Sequence, residues 1–290
     1  MIRTIVQLVV NGVLLGGIYA LISTGLTLIW GVMQIMNFAH GEYLMLGMYA
    51  SFWLFHFYGI NPYLSILFVA PILFVLGVLT QRAIIKPILG GSHLAQVFAT
   101  MGLSIALQNL ALFLWKADYR SIRVVGSISN LRLHGVIFSL PWLIAFIITM
   151  AMMIILFLFL KKTYIGKAMR ATSENRRAAQ LMGINVDRVY YLAMGIGSAC
   201  VGVAGAVLAP MYPVFPTVGG FFVIVAFVIV VLGGLGNITG ALVGSLILGV
   251  VETFSGFYIA VALKEFVYFL VFILILLLRP AGLLGKATTR

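Results

Sequence analysis

The sequence predicts an all-α polytopic membrane protein with about eight or nine transmembrane or half-membrane helices. Hydrophobic residues make up 63% of the chain and charged residues 8%, against about 45–50% and about 25% in soluble domains. Between Val189 and Val251, 63 consecutive residues include no Asp, Glu, Lys or Arg, whereas one crossing helix needs about 20 apolar residues. Lipid must therefore surround the outer face of this chain.

Breaks at charged residues, Pro and Gly divide the chain into nine apolar segments. They are residues 5–30, 38–57, 62–81, 94–115, 139–160, 189–210, 219–232, 238–256 and 264–279. Segment 219–232 is too short to cross about 30 Å of hydrocarbon at about 1.5 Å per residue, so we expect a half-helix or a broken crossing. One integral-membrane domain, residues 1–290 with a loop at 161–188, accounts for the whole sequence.

The positive charge lies between the apolar segments, which argues against nucleic-acid binding despite a net charge of +12. Loops 82–93 and 161–188 and the C-terminus hold 12 of the 18 Lys and Arg residues. The positive-inside rule then predicts an extracellular N-terminus and a cytoplasmic C-terminus, although loop 116–138 is also basic. Residues 5–29 are longer than a signal-peptide core, so we expect the first segment to be retained. Cys200 is the only cysteine, which excludes an internal disulfide and a cysteine-rich metal site.

The basic loop 161–188 predicts a docking helix that ends at Gly183. Small residues recur at helical spacing on one face, and a charged stripe lies beside them. Such a face suits a groove on a cytoplasmic protein, whereas a helix lying on lipid would carry Trp, Phe or Leu. The alternative is an ordinary positive-inside loop. The candidate docking residues are Gly166, Ala168, Arg170, Ala171, Glu174, Asn175, Ala178, Met182, Gly183 and Ile184.

Two polar, glycine-bearing turns precede helices with small residues, one in each half of the chain, which hints at an internal repeat. They are candidates for the substrate path, because broken helices present polar groups inside transporters. The alternative is that the polar residues only cap helices and make interhelical hydrogen bonds. The glycine stripe that begins at Gly236 predicts close helix packing. The candidate path residues are Asn37, His40, Glu42, Gly233, Gly234, Gly236 and Asn237.

Isolated polar residues within the apolar segments are expected to be structural. Glu252 would lie about 21 Å along a helix that begins near Ile238, close to the outer interface, where it is hydrated or paired with Lys264. A functional carboxylate is the alternative. Gln108 and Asn109 are expected to make interhelical hydrogen bonds.

Four motifs occur in order along nearly the whole chain, and Arg188 closes the loop that holds the second. They are Asn37-Phe38-Ala39-His40-Gly41-Glu42, Gly183-Ile184-Asn185, Gly233-Gly234-Leu235-Gly236 and Arg279-Pro280-Ala281-Gly282-Leu283-Leu284-Gly285. Together they resemble the permease of bacterial branched-chain amino acid ABC importers, and in particular the shorter of the two paralogous permeases that pair in these systems.

The resemblance implies a permease in the bacterial inner membrane that forms a translocation path with an identical or paralogous permease. Two cytoplasmic ATPase subunits would bind the coupling loop, and an external solute-binding protein would deliver the substrate. The chain contains no Gly-x-x-x-x-Gly-Lys-Ser/Thr sequence, so ATP would be bound by partners, and we expect no cofactor or metal in this chain.

Three other functions are weighed against an importer of branched-chain amino acids. Some branches of the same family carry urea or short amides. A secondary transporter would use His40, Glu42 or Glu252 as a proton relay, but buried carboxylates are few. An intramembrane enzyme is the weakest alternative, because the chain has no His-Glu-x-x-His sequence and both aspartates fall in loops.

Overall fold

The computed structural model describes residues 1–122, 130–133 and 136–285. This part of the chain folds into eleven helices and one two-stranded hairpin. They are α1 Ile2–Met33, α2 His40–Tyr58, α3 Pro62–Ile88, α4 His93–Trp115, β1 Asn130–Leu133, β2 Val136–Ser139, α5 Leu140–Lys162, α6 Tyr164–Glu174, α7 Arg176–Leu181, α8 Val186–Leu208, α9 Val218–Gly233, α10 Ile238–Tyr258 and α11 Lys264–Leu278.

Nine of these helices correspond one to one with the nine predicted apolar segments. Seven are long and apolar enough to cross a membrane, namely α1, α3, α4, α5, α8, α10 and α11, the last with one preceding 3₁₀ turn. The other two are α2 and α9, and the 16 residues of α9 extend about 24 Å. The prediction of an all-α polytopic membrane protein is therefore confirmed.

The centre of the bundle is formed by α1, α2 and α8, while α4 and α11 lie at its periphery. In the most apolar 18-residue window of each helix, 78% of the residues are buried in α8, but only 11% in α4 and 6% in α11. A helix that is apolar all round and unburied needs lipid or another subunit as its neighbour. The two peripheral helices therefore present apolar surfaces that need lipid or another subunit beside them.

Glycines bring the central helices into backbone contact. A Cβ added to Gly12 of α1 would lie 2.6 Å from Val250 Cα of α10, and one on Gly47 of α2 would lie 2.5 Å from the Gly202 carbonyl of α8. Gly233 and Gly240 oppose each other in the same way between α9 and α10. Close approach of this kind is the main source of helix association in lipid. The predicted glycine stripe thus packs helices.

The two ends of the bundle differ in character. At the end called here the basic end, Lys86 at the end of α3 forms a 2.7 Å ion pair with Asp187 in the first turn of α8, and α6 and α7 lie just before α8. At the hairpin end, Gln7 of α1 exchanges two hydrogen bonds with the backbone of Ile137 in β2. These contacts fix which loops share a side of the membrane.

Candidate transport and coupling sites

The first polar turn re-enters the bundle. α1 ends at Gln34, which adopts a left-handed conformation with φ of 57°, and the chain then folds back along α1. His40, the first residue of α2, reaches the carbonyl of Ile22 with its Nε2 atom (3.0 Å). Ile22 lies about 16 Å from the end of α1 at Met33. α2 therefore begins deep in the bundle, where irregular backbone is tolerated because protein surrounds it.

The three candidate residues of this turn are buried and hydrogen-bonded. Asn37 Oδ1 accepts from the Ala39 N–H at 3.1 Å, which caps the turn. Glu42 Oε1 accepts from Ser104 Oγ (3.0 Å) and from Gln108 Nε2 (2.8 Å), both on α4. The contacts of these three residues are thus hydrogen bonds that cap a turn or join helices. This is the structural role that was the alternative to a place in the substrate path.

Two buried polar atoms of the turn have no hydrogen-bond partner among the described residues. They are His40 Nδ1 and Glu42 Oε2. Buried polar atoms are rarely left unpaired without a reason, so this turn keeps hydrogen-bonding capacity in the interior of the bundle.

Ser104 and Gln108 were missed as partners of Glu42, although they lie four residues apart and so share one face of a helix. The expectation of an interhelical bond is correct for Gln108. It is wrong for Asn109, whose Nδ2 atom bonds the Ile105 carbonyl of its own helix at 2.8 Å. Asn109 is exposed and lies on a different face of α4 from Gln108, so it has no facing helix to bond.

The N-terminal turns of α2 and α9 cross at two glycines. A Cβ on Gly41 would overlap the Gly219 carbonyl, and one on Gly219 would overlap the Gly41 carbonyl. This contact holds the start of α9 beside His40. The N-terminal ends of two helices therefore meet inside the bundle, next to the polar turn.

The second polar turn lies at the basic end instead of near the membrane interior, where sequence reasoning placed it. Gly234 and Gly236 have φ of 105° and 79°, and Gly236 packs on Gly31 near the end of α1. Asn237 caps α10 by accepting from the Gly240 N–H at 3.0 Å. The broken connection thus caps a helix at the end of the bundle, because α9 ends and α10 begins there.

The C-terminal motif closes this second turn. The Leu283 and Leu284 N–H groups donate to the carbonyls of Leu232 and Gly233 at 2.8 and 3.2 Å. Asn237 Nδ2 donates to the Leu284 carbonyl at 2.6 Å. Two motifs that lie far apart in the sequence thus form one structural unit, which accounts for the last free carbonyls of α9.

The predicted docking helix is two helices, α6 and α7, and the prediction of a single helix is wrong. Asn175 lies between them with an extended backbone (φ −152°, ψ 105°), and its Oδ1 atom accepts from the Ala178 N–H at 3.0 Å. Asn is a poor residue inside a helix and a good N-cap, so it ends α6 and begins α7. Gly183 follows α7 with φ of 81° and ends it as predicted.

The packing of α6 on the bundle decides which candidate docking residues are accessible. Gly166 and Ala168 are buried and face the bundle, so they are not on the outer surface as predicted. Ile184 is half-buried, and the remaining candidates are exposed: Arg170, Ala171, Glu174, Asn175, Ala178, Met182 and Gly183. Leu181 and Met182 are 88% and 82% exposed. Large apolar side chains exposed at a membrane-protein end, beside small residues, indicate a surface that another protein covers.

Glu252 is paired, as one of the expected alternatives had it. Lys264 Nζ donates to Glu252 Oε1 at 2.7 Å, and Tyr19 Oη donates to Glu252 Oε2 at 2.8 Å. The carboxylate joins α10 to α11 and to the central helix α1. The contact with Tyr19 was not foreseen, since 233 residues separate the two.

The sequence matches the family model described as the permease component of branched-chain amino acid transport systems, over residues 8–276. The chain belongs to this permease family. The match includes both polar turns, α6 and α7, and all but the last two residues of α11. The prediction of a transport permease is thereby confirmed, and a permease component works with other components of a transport system.

Named relatives agree with the family match. The chain is 34% identical to the high-affinity branched-chain amino acid transport system permease protein BraD of Pseudomonas aeruginosa, over 97% of this chain and 95% of BraD. It is 35% identical to LivH of Escherichia coli, with the same coverage. It is 30% identical to the probable branched-chain amino acid transport permease protein LivH of Methanocaldococcus jannaschii, over 95% of this chain and 91% of the relative.

Proposed function

We propose that this permease carries branched-chain, apolar amino acids into the cell as the membrane subunit of an ATP-driven importer. The observation that carries this proposal is the full-length likeness to BraD and LivH, both named for branched-chain amino acid transport. The permease pairs with an identical or paralogous permease. It receives substrate from an external binding protein and is driven by two cytoplasmic ATPase subunits.

In this proposal the basic end lies on the cytoplasmic side of the inner membrane. It holds the cationic loop 161–188, and positive charge is retained on the cytoplasmic side. α1 then begins outside the cell and α11 ends inside, so the N-terminus is extracellular and the C-terminus cytoplasmic. The exposed surface of α6 and α7 is thereby placed where ATPase subunits are.

The coupling step is assigned to the outer face of α6 and α7, called here the coupling surface: Ala171, Asn175, Ala178, Leu181 and Met182. Two exposed apolar side chains and two alanines suit a helix that inserts into a groove. Movement of the ATPase subunits would be passed to the bundle through Gly166, which packs on the end of α5, and through Asp187 and Lys86. ATP remains on the partner subunits, and this chain needs no cofactor.

The substrate path is assigned to the region around the first polar turn. Asn37, His40 and Glu42 lie inside the bundle where α2 and α9 begin, and two of their polar atoms keep hydrogen-bonding capacity. Gly233, Gly234, Gly236 and Asn237 lie at the cytoplasmic end in this orientation. They would line the path only at its exit.

Uptake of radiolabelled leucine tests the proposed substrate and energy source. The chain is expressed with its partner subunits in cells that lack other leucine importers. We expect uptake that needs the ATPase subunits and survives collapse of the proton gradient while ATP is maintained. Uptake that follows the proton gradient without ATPases would instead indicate a secondary transporter, and uptake of labelled urea or acetamide but not leucine would refute the substrate.

Enlarging the alanines tests the coupling surface. Replacing Ala171 and Ala178 together by Trp should abolish co-purification of the ATPase subunits, because the indoles cannot enter a groove shaped for a methyl group. Both alanines are exposed, so the chain itself should still insert and fold.

The matched control is Ala117→Trp, an exposed alanine in the turn after α4 at the hairpin end. It should leave ATPase binding unchanged. Normal leucine uptake by the double variant, at wild-type expression, would show that the coupling surface lies elsewhere.

A further inference from the structure

The ion pair between Glu252 and Lys264 stands beside two cavities at the hairpin half of the bundle. One cavity has a volume of about 240 Å³ and the other about 370 Å³, and Tyr212, Glu252 and Lys264 line both. Glu252 lies about 21 Å from the start of α10 at the basic end. In the proposed orientation the cavities therefore lie in the outer half of the membrane, where a substrate released by an external binding protein would enter.

Half of the residues that line the smaller cavity are aromatic. Tyr19, Phe222 and Tyr268 are buried around it, and Tyr212 packs edge-on against Phe222 with 5.6 Å between ring centroids. Burial, together with the nearby Glu252 carboxylate, raises the pKa of Tyr212 to about 12. Tyr212 thus stays a neutral hydroxyl at the rim. The wall also includes the Glu265 carboxylate, beside apolar residues such as Val218 and Val225.

The ion pair keeps unused hydrogen-bonding capacity. A lysine ammonium has three N–H donors, and among the described contacts Lys264 uses one, toward Glu252. An ionised carboxylate has about four lone-pair sites, and Glu252 shows two donors, Lys264 and Tyr19. The side chain of Lys264 is 36% exposed, while that of Glu252 is 7% exposed. Lys264 and Glu252 therefore place a cation and an anion side by side at the mouth of a cavity rich in aromatic residues, and each can take another partner. Glu265 also lines this cavity.

We propose that Glu252 and Lys264 form a binding site for the α-ammonium and α-carboxylate of a free apolar amino acid, whose side chain enters the aromatic cavity. This site rests on the proposed function, because it specifies which side chains of the permease recognise the charged groups of the substrate. The ammonium bonds Glu252, and the carboxylate bonds Lys264. Placing two opposite charges next to apolar walls is costly for structure alone, because an apolar pair of the same volume is commonly as stable. Binding of a zwitterionic ligand gives this ion pair a function.

A charge reversal separates a binding site from a structural ion pair. The variants are Glu252→Gln, Lys264→Met and the exchange Glu252→Lys with Lys264→Glu, each tested in the complete importer. We expect each single variant to lower leucine uptake by about tenfold or more, as the loss of a charge-assisted bond predicts. We expect the exchange to restore assembly and thermal stability but not uptake, because the order of the two charges is reversed for the ligand.

Recovery of uptake in the exchange variant, or wild-type uptake by Glu252→Gln, would overturn this site and leave the importer function standing. Absence of leucine uptake by the wild-type complex would overturn the importer function itself. The matched control is Ser255→Ala on the same helix, whose hydroxyl bonds only carbonyls of α10; its uptake should equal that of the wild type. Competition against labelled leucine at the purified permease, with the external binding protein left out, should be at least about tenfold weaker for isoamylamine or 4-methylpentanoate, each lacking one charged group, than for leucine.

Discussion

Single polar residues in this permease serve more than one helix. Glu42 holds two donors of α4 with one carboxylate oxygen, and Glu252 joins α1, α10 and α11. Because lipid cannot satisfy these groups, each contact replaces water that the bundle excludes. Individual hydrogen-bonded side chains thus fix the positions of helices that packing has already brought together.

Removing the Glu42 carboxylate should loosen α4. In Glu42→Met the volume is nearly kept, but Ser104 and Gln108 lose their acceptor, and we expect a loss of about 1–3 kcal/mol in the free energy of unfolding. The thermal midpoint in detergent measures this. Asn109→Leu is the control, since Asn109 is exposed and bonds only its own helix. An unchanged midpoint in the Glu42 variant would mean that α4 is held by packing alone.

At the scale of elements, two helices begin inside the bundle because glycine allows their N-terminal turns to touch. Neighbouring glycines of α9 differ sharply in this respect. Gly219 opposes the Gly41 carbonyl, whereas a Cβ on Gly220 would meet no atom within 4 Å.

The two glycines therefore make a matched pair of variants. Gly219→Ala should cost about 1–3 kcal/mol, because the added methyl must push α2 and α9 apart. Gly220→Ala should be neutral or stabilising by up to about 1 kcal/mol, since alanine favours a helix. Differential scanning of the purified permease checks both, and equal midpoints would refute the crossing of α2 and α9.

At the scale of the whole molecule, the two ends of the bundle define a topology that labelling can read. Cys200 is buried in α8, so the wild-type chain should not react with a membrane-impermeant maleimide. Ala117→Cys should react in intact cells, and Lys161→Cys should react only after the cytoplasmic side is opened, because the two exposed positions lie at opposite ends. The reverse pattern would invert the proposed orientation.

The fold class and the nine helices of the apolar segments were predictable, since hydrophobic length and breaks at Pro, Gly and charge are local properties of the sequence. Depth was not. The re-entry after Gln34 depends on the bond between His40 and Ile22, and a tertiary contact of this kind leaves no periodic signal.

Predictions for the candidate sites failed where a single residue decides between two local structures. The alanine spacing around Asn175 fits one helix, but its side chain favours capping a new helix. Ala168 faces the bundle because α6 packs on the end of α5 through Gly166, which the spacing does not show. The second turn is closed by backbone hydrogen bonds from Leu283 and Leu284. A pattern of side chains along the sequence does not predict such bonds.

The contact between the second turn and the C-terminal motif can form only late in biosynthesis. Asn237 and Leu284 bond each other across 47 residues, so the carbonyls of Leu232 and Gly233 must wait for chain that leaves the ribosome much later. α9 and α10 therefore enter the membrane with an unfinished corner at the basic end, where water has to solvate these carbonyls until α11 has inserted. The unit formed by the second turn and the C-terminal motif can close only after the last transmembrane helix is in place.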